Sequence, residues 1–209
     1  MPDASIYLFD DLTRLPAAFM ADSLTVVPPF RREQCLRYHR ESDRIACILA
    51  YQLLCRGLDE QYGIAPPSFI YNPSGKPYLP DTPGVFFSLS HCPTAVVCAI
   101  GDAELGVDVQ DVRPYDADIA SRVCTGNELA HLSESPDPSS LLCRLWTQKE
   151  SYAKAMGIGV AEVLAIELPE ERFIGWGRAA YQISLCFRAG DAASHNARLV
   201  TLSVSQLVR

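Results

Sequence analysis

The sequence is short of lysine: Lys76, Lys149 and Lys154 are the three lysines among its 18 basic residues, and every other cation is arginine. It also lacks paired cysteines. Its eight cysteines (Cys35, Cys47, Cys55, Cys92, Cys98, Cys124, Cys143, Cys186) are scattered, with no CxxC and no Cys/His knuckle. That excludes a zinc module and suits small buried hydrophobes in a reducing compartment. Long apolar runs are missing too. "IACILA" and "AVVCAI" are far too short to span a bilayer, and "MPDASIYLFDDL" has neither the basic nor the apolar part of a signal peptide. A cytoplasmic protein without a membrane partner is expected. A net charge of −7 speaks against nucleic acid as partner, because neutralising phosphates needs a basic surface. GxGxxG, Walker and Gly-x-Ser-x-Gly patterns are absent, so any phosphate must be held by side chains, a metal or helix ends.

What is present is a 48% hydrophobic chain of 209 residues, enough for a substantial core. "SIYLF" reads as a strand. The arginine-rich "RREQCLRYHR" and then "SDRIACILAYQLLCRGL" read as helices, the second with Ser42 as N-cap. "SFIYN" and "KPYL" flank a Pro73-Ser74-Gly75 turn, and "VFFSLS" and "TAVVCAI" are further strands. After Gly101-Asp102 the pattern restarts: strand "ELGVDVQDV", short helices "DADIASRV" and "NELAHL", long helix "SLLCRLWTQKESYAKAM", then strands "VLAIEL", "AAYQISLCF" and "ARLVTLSVSQ". The repeated order predicts an α+β fold of two similar halves, residues 1–102 and 103–209.

Three short stretches carry chemistry. In "WTQKESYAKAMG", Glu150 and Lys154 are four residues apart on a helix, about 40° apart on one face. That spacing fits an ordinary surface ion pair as well as a site, and Gly157 fits the helix C-cap. In "GVDVQDV", strand alternation puts Gly106, Asp108 and Gln110 on one side and Val107 and Val109 on the other. A mid-strand acid beside valines is costly unless it is paired or binds a cation. Asp108, Gln110 and Glu150 together make an all-oxygen set suited to Mg²⁺; the alternative has Asp108 begin a turn and Gln110 exposed. In "FFSLSHC", His91 shares parity with Phe87 and Leu89, while Ser88 and Ser90 face the other way.

Together "NPSGKPYL", "FFSLSHC", "GVDVQDV" and "WTQKESYAKAMG", in this order and spacing, resemble the 4′-phosphopantetheinyl transferase superfamily, in particular its longer, surfactin-synthetase-activating class. The resemblance runs from about Asn72 to Gly157, and "RREQCLRYHRESDR" is similar to the family's N-terminal helix region. It implies a monomer of two pseudo-symmetric α+β halves, each a small, mainly antiparallel sheet against a long helix, with the active site in the cleft between them. It implies transfer of the phosphopantetheine arm of coenzyme A to a serine of an apo acyl or peptidyl carrier protein, with release of 3′,5′-ADP and with Mg²⁺, or Mn²⁺ in its place, as cofactor. Asp108 and Glu150 match the metal-binding acids, with Gln110 where Glu is common, and Glu150 also matches a group assisting serine deprotonation. Lys154 matches the cation beside the pyrophosphate. Lys76, Ser90 and His91 match contacts to the nucleotide and 3′-phosphate of coenzyme A, and Arg31 and Arg44 match cations serving those phosphates. Gln34 stands where some relatives have a basic residue. Glu128 aligns with another proposed proton acceptor, although Thr125-x-x-Glu128 is equally a capping box. The Gln110 departure leaves open a coenzyme A-binding module without transfer activity.

Overall fold

Strand alternation and two long amphipathic helices account for the architecture seen in a computed structural model, which describes residues 3–64, 67–73 and 75–207. Ser74, inside the predicted turn, lies outside the described residues. The chain runs through β1 (Ala4–Phe9), α1 (Phe19–Val26), α2 (Pro29–Leu36) and the long α3 (Glu41–Tyr62). A small hairpin, β2 (Ile70–Tyr71) and β3 (Pro77–Tyr78), precedes β4 (Phe86–His91) and β5 (Val96–Gly101). Then come β6 (Leu105–Asp111), α4 (Ala117–Val123), α5 (Gly126–Glu134) and the long α6 (Pro138–Met156). β7 (Phe173–Gly177), β8 (Tyr181–Phe187), β9 (Ala197–Thr201) and α7 (Val204–Leu207) follow. The fold class is α+β.

The two main sheets have strand orders β4-β5-β1-β9 and β6-β8-β7. The same connectivity occurs in both: the first strand pairs antiparallel with the later strand of an antiparallel pair that comes after the long helix, β1 with β5 of β4-β5 and β6 with β8 of β7-β8. β9 has no counterpart in that scheme. It runs parallel to β1 and ties the end of the chain to the first sheet.

Alternation then sets the layers. Tyr7, Phe9, Cys98 and Ile100 face α3 and pack with Ile48, Leu54 and Leu58. Ile6, Leu8, Val97 and Ala99 point the other way, into a second cluster with Val107, Val109, Ile183 and Leu185. The sheets therefore share an interior, with α3 outside one and α6 outside the other. Helix α6 lies unusually close to β6 because Gly106 has no side chain: a Cβ there would sit 2.2 Å from the Ser151 carbonyl oxygen and 2.4 Å from the Ala155 nitrogen.

Three expectations about elements are corrected. "VLAIEL" is not a strand; after a short 3₁₀ turn at Val160–Glu162 it runs as turns and coil, and Phe173–Gly177 supplies the strand instead. That segment pairs with β8 from Phe173↔Cys186 to Gly177↔Gln182, across a short link at residues 178–180. A tight hairpin closes with little entropy loss and outweighs the glycine-poor β-propensity of the upstream run. Helix α2 ends at Leu36 rather than continuing to Arg40. Ser42 lies inside α3, whose N-cap is Arg40 without a side-chain cap bond; Glu41 and Asp43 in the first turn favour the positive end of the helix dipole. Among the described residues all eight cysteines are free, and no helix is long and apolar enough to cross a membrane.

Candidate active site

The site forms where the edge strands of the two sheets meet. The Ser88 hydroxyl accepts a bond from the Val107 backbone N–H at 3.0 Å, and that of Ser90 accepts from Val109 N–H at 3.4 Å. Side-chain oxygens thus take the β6 donors that point away from β8, and they fix β4 alongside β6. This brings Ser90 against Asp108, to whose Oδ1 the hydroxyl donates at 2.6 Å. Asp108, 5% exposed, also receives the Lys154 ammonium on Oδ1 at 2.6 Å, while Lys154 Nζ donates to Ser90 Oγ at 3.1 Å. Lys154 belongs to the last turn of α6, which ends at Gly157 in the left-handed conformation (φ 71°). The close seat of α6 over Gly106 is what lets this side chain reach the strand.

Glu150, one turn earlier on α6, is half-buried and makes no hydrogen bond or ion pair among the described residues. The helical spacing suggested Lys154 as its partner. The structure gives that lysine to Asp108 instead. Burial pushes the Glu150 carboxyl above its ordinary value of 4.5, the Lys154 charge opposes the shift and the Asp108 charge adds to it. Two acids thus converge on one ammonium, and one of them has no contact partner.

The remaining candidate residues surround this centre unevenly. A cleft of about 210 Å³ is lined by Lys76, Phe87, Ser88, Leu89, Lys154 and Ile158, among others. The Lys76 ammonium donates to the Leu105 and Ala155 carbonyls at 3.2 and 3.1 Å, bracing the hairpin against the end of α6. Burial holds its pKa below the usual lysine value, with Glu104 raising it and Arg188 lowering it. His91 ends β4 with part of its surface open to solvent and the rest of its ring against neighbouring protein. Its pKa is lowered by desolvation first, with Lys154 and Arg31 on one side of the balance and Asp43 and Asp108 on the other. Arg31 is buried, 4% exposed; it bonds Gln34 and the Cys47 carbonyl oxygen and lies over the rings of Tyr51 and Phe69. Gln34 passes this connection to the Tyr71 hydroxyl. Arg44 donates to the Tyr38 carbonyl at 2.8 Å. Arg31 and Arg44 thus make contacts within the α2–α3 region rather than with the Asp108 cluster. A larger cavity, about 670 Å³, lies between α1, α3 and α7; Tyr51 lines it, but none of the candidate site residues does.

The family model described as 4′-phosphopantetheinyl transferase superfamily matches residues 104–202, the segment that carries Asp108, Glu150 and Lys154. A 4′-phosphopantetheinyl transferase of Bacillus subtilis is 30% identical over 142 residues, covering 66% of this chain and 63% of its own length. Residues 104–202 of this chain belong to the 4′-phosphopantetheinyl transferase superfamily. Its relatives are of the Sfp type: Sfp of Bacillus subtilis (strain 168) is 27% identical over 142 residues, 66% of this chain and 63% of that protein. The transferase psf-1 of Bacillus pumilus is 26% identical over 187 residues, 79% of this chain and 80% of that protein. The chain thus spans 63% of the length of the first two relatives.

Among the described residues there is no group of three or more His, Cys, Asp or Glu side chains able to hold a metal. The two-acid set nevertheless fits the Mg²⁺ that the superfamily implies. Its donors are all oxygen, Glu150 is unpartnered and raised in pKa beside a second acid, and Mg²⁺ typically takes one or two carboxylates and fills its other positions with water and substrate phosphate. Gln110 has the same strand parity as Asp108, is half-buried, and its side chain makes no hydrogen bond among the described residues.

Lys149, conspicuous in the sequence only as a rare lysine, has its role set by the tertiary structure. Lys149 is 1% exposed, and its ammonium donates to the Val123 and Leu164 carbonyls, each at 2.9 Å, and to Glu128 Oε2 at 2.7 Å. Glu128 also accepts the Thr125 backbone N–H at 2.7 Å, and the capping box is complete. A carboxylate held this way anchors α5 to α6. For Ser88 the sequence gives parity alone; its bond to β6 exists only where the two sheets meet.

Proposed function

We propose that the protein transfers the 4′-phosphopantetheine arm of coenzyme A to a serine hydroxyl of an apo acyl or peptidyl carrier protein, releasing 3′,5′-ADP. In this reading it acts as a Mg²⁺-dependent monomer with the site in the cleft between residues 1–102 and 103–209. The observation that supports it most is the meeting of Ser90, Asp108 and Lys154 beside the unpartnered Glu150, in a chain of this superfamily.

The serine oxygen attacks the β-phosphorus of the pyrophosphate. The new O–P bond forms as the bond to the bridging oxygen breaks, the arm moves to the serine, and the bridging oxygen leaves with the nucleotide. Bound at Asp108 and Glu150, with Gln110 in reach directly or through water, Mg²⁺ would neutralise charge on the phosphates. Glu150, whose pKa burial raises, takes the seryl proton directly or through a water. Lys154 lines the cleft and meets the charge developing on the leaving oxygen; an ammonium that can give up a proton suits that task better than a guanidinium. Lys76, Ser90 and His91 border the nucleotide, and Arg31 and Arg44 shape the α2–α3 wall behind it.

Incubation with coenzyme A, Mg²⁺ and an apo-carrier, followed by mass spectrometry of the carrier, tests the reading. A gain of one phosphopantetheine is expected. An unmodified carrier would leave a module that binds coenzyme A without transfer, and coenzyme A degraded without carrier modification would indicate a hydrolase.

A further inference from the structure

Oδ1 of Asp108 accepts two donors at once, the Lys154 ammonium at 2.6 Å and the Ser90 hydroxyl at 2.6 Å. The charge of Glu150 also acts on Lys154 and on Asp108. One ammonium therefore pairs with Asp108 and lies within the field of Glu150, the two acids of the proposed metal site. The two α6 lysines differ in how firmly they are held. Lys149 is closed in, its side chain 1% exposed, by three bonds to carbonyl and carboxylate oxygens. The Lys154 side chain is 31% exposed, projects from the final helical turn and lines the 210 Å³ cleft, so its long stem is free to turn toward an anion placed there.

We propose that Lys154 is the resident counter-ion of the metal site: in the free protein it occupies the electrostatic position of the divalent cation, and it yields that position when a pyrophosphate ester enters the cleft and draws the ammonium away. This rests on the functional reading above and adds a rule of assembly to it. With the lysine on Asp108, an incoming dication meets a site of net charge −1 and a neighbouring positive charge that repels it. With the lysine turned to phosphate, it meets two free carboxylates and the substrate's own oxygens. Metal and coenzyme A then bind as a coupled pair, and one side chain does two successive jobs, first neutralising Asp108 and then the pyrophosphate.

The test is calorimetric titration of Mg²⁺ into wild type, Lys154→Gln, Lys154→Arg and Asp108→Asn, each with and without saturating coenzyme A and without carrier, so that nothing turns over. Circular dichroism checks that each variant is folded. Without coenzyme A, Lys154→Gln is expected to bind Mg²⁺ about tenfold tighter than wild type or better, since a unit charge at contact distance is removed. Lys154→Arg, which keeps the charge, should stay as weak as wild type. With coenzyme A, wild type should gain about tenfold and Lys154→Gln much less. Equal or weaker Mg²⁺ binding by Lys154→Gln in the absence of coenzyme A overturns the proposal. Loss of binding in Asp108→Asn alongside that result would leave the metal assignment standing, whereas unchanged binding in Asp108→Asn would remove the metal from this site altogether.

Discussion

At the scale of the residue, Glu150 carries the clearest consequence. Burial raises its carboxyl pKa, so the folded state holds this proton more tightly than the unfolded chain does, and ionising the group in place costs stability. The sign follows: the cost is fully present above the folded pKa and vanishes below the unfolded value of 4.5. Glu150→Gln is therefore expected to melt above wild type at neutral pH in metal-free buffer, with the advantage fading as pH falls through the raised folded pKa and gone below 4.5. Scanning calorimetry across pH measures this, and a variant that melts lower at neutral pH would show that the carboxylate has a stabilising partner. The same substitution should reduce carrier modification on the order of 100-fold, as should Asp108→Asn. Lys154→Arg should bind coenzyme A but turn over poorly, and wild-type kcat in that variant would reduce Lys154 to a counter-ion. Arg31 moves the other way. Its 4% exposure predicts that Arg31→Ala lowers Tm, whereas Lys76→Ala and His91→Ala raise KM for coenzyme A.

At the scale of the element, α6 is the part that everything else positions. Gly106 lets it lie against β6, and Lys149 ties it to α5 and to the loop at Leu164. Gly106→Ala would drive a Cβ into backbone atoms of residues 151 and 155. The neighbours are main chain and cannot rotate away, so the helix must shift, at a cost of about 1–3 kcal/mol. Activity should fall more than stability does, because Lys154 and Glu150 move with the helix; a folded Gly106→Ala protein with normal turnover would contradict this. Lys149→Met leaves the Glu128 carboxylate buried without its cation and should cost roughly 3–5 kcal/mol. Lys149→Met combined with Glu128→Gln should recover part of that loss, and urea unfolding of the single and double variants decides it.

At the scale of the whole molecule, the cluster formed by Ile6, Leu8, Val97, Val107, Ile183 and Leu185 draws on both sheets, and β9 returns to pair with β1. Neither half of the chain can unfold without exposing that shared interior. One cooperative thermal transition is expected, with the first and second halves losing hydrogen-exchange protection together. Two separate transitions would show that the halves are independent units and that the cleft between them is a hinge.

Much of this protein was determined by sequence alone, and the reason is local. Alternation in "FFSLSHC" and "GVDVQDV" set the faces of Ser90 and Asp108, helical spacing put Glu150 and Lys154 on one face, and the order of elements repeated on either side of Gly101; each depends on neighbours a few residues away. The tertiary structure decided what depends on distant partners. Whether Phe173–Gly177 or "VLAIEL" becomes the strand turns on which can pair with β8. Whether Lys154 serves Glu150 or Asp108 turns on how closely α6 approaches Gly106. The sequence offers Arg31 as a phosphate-serving cation and Lys149 as a rare lysine, and only packing of the helices around them shows that both are interior. A charge four residues away on a helix is a possible partner; the one it takes is set by the strand that folding brings beneath it.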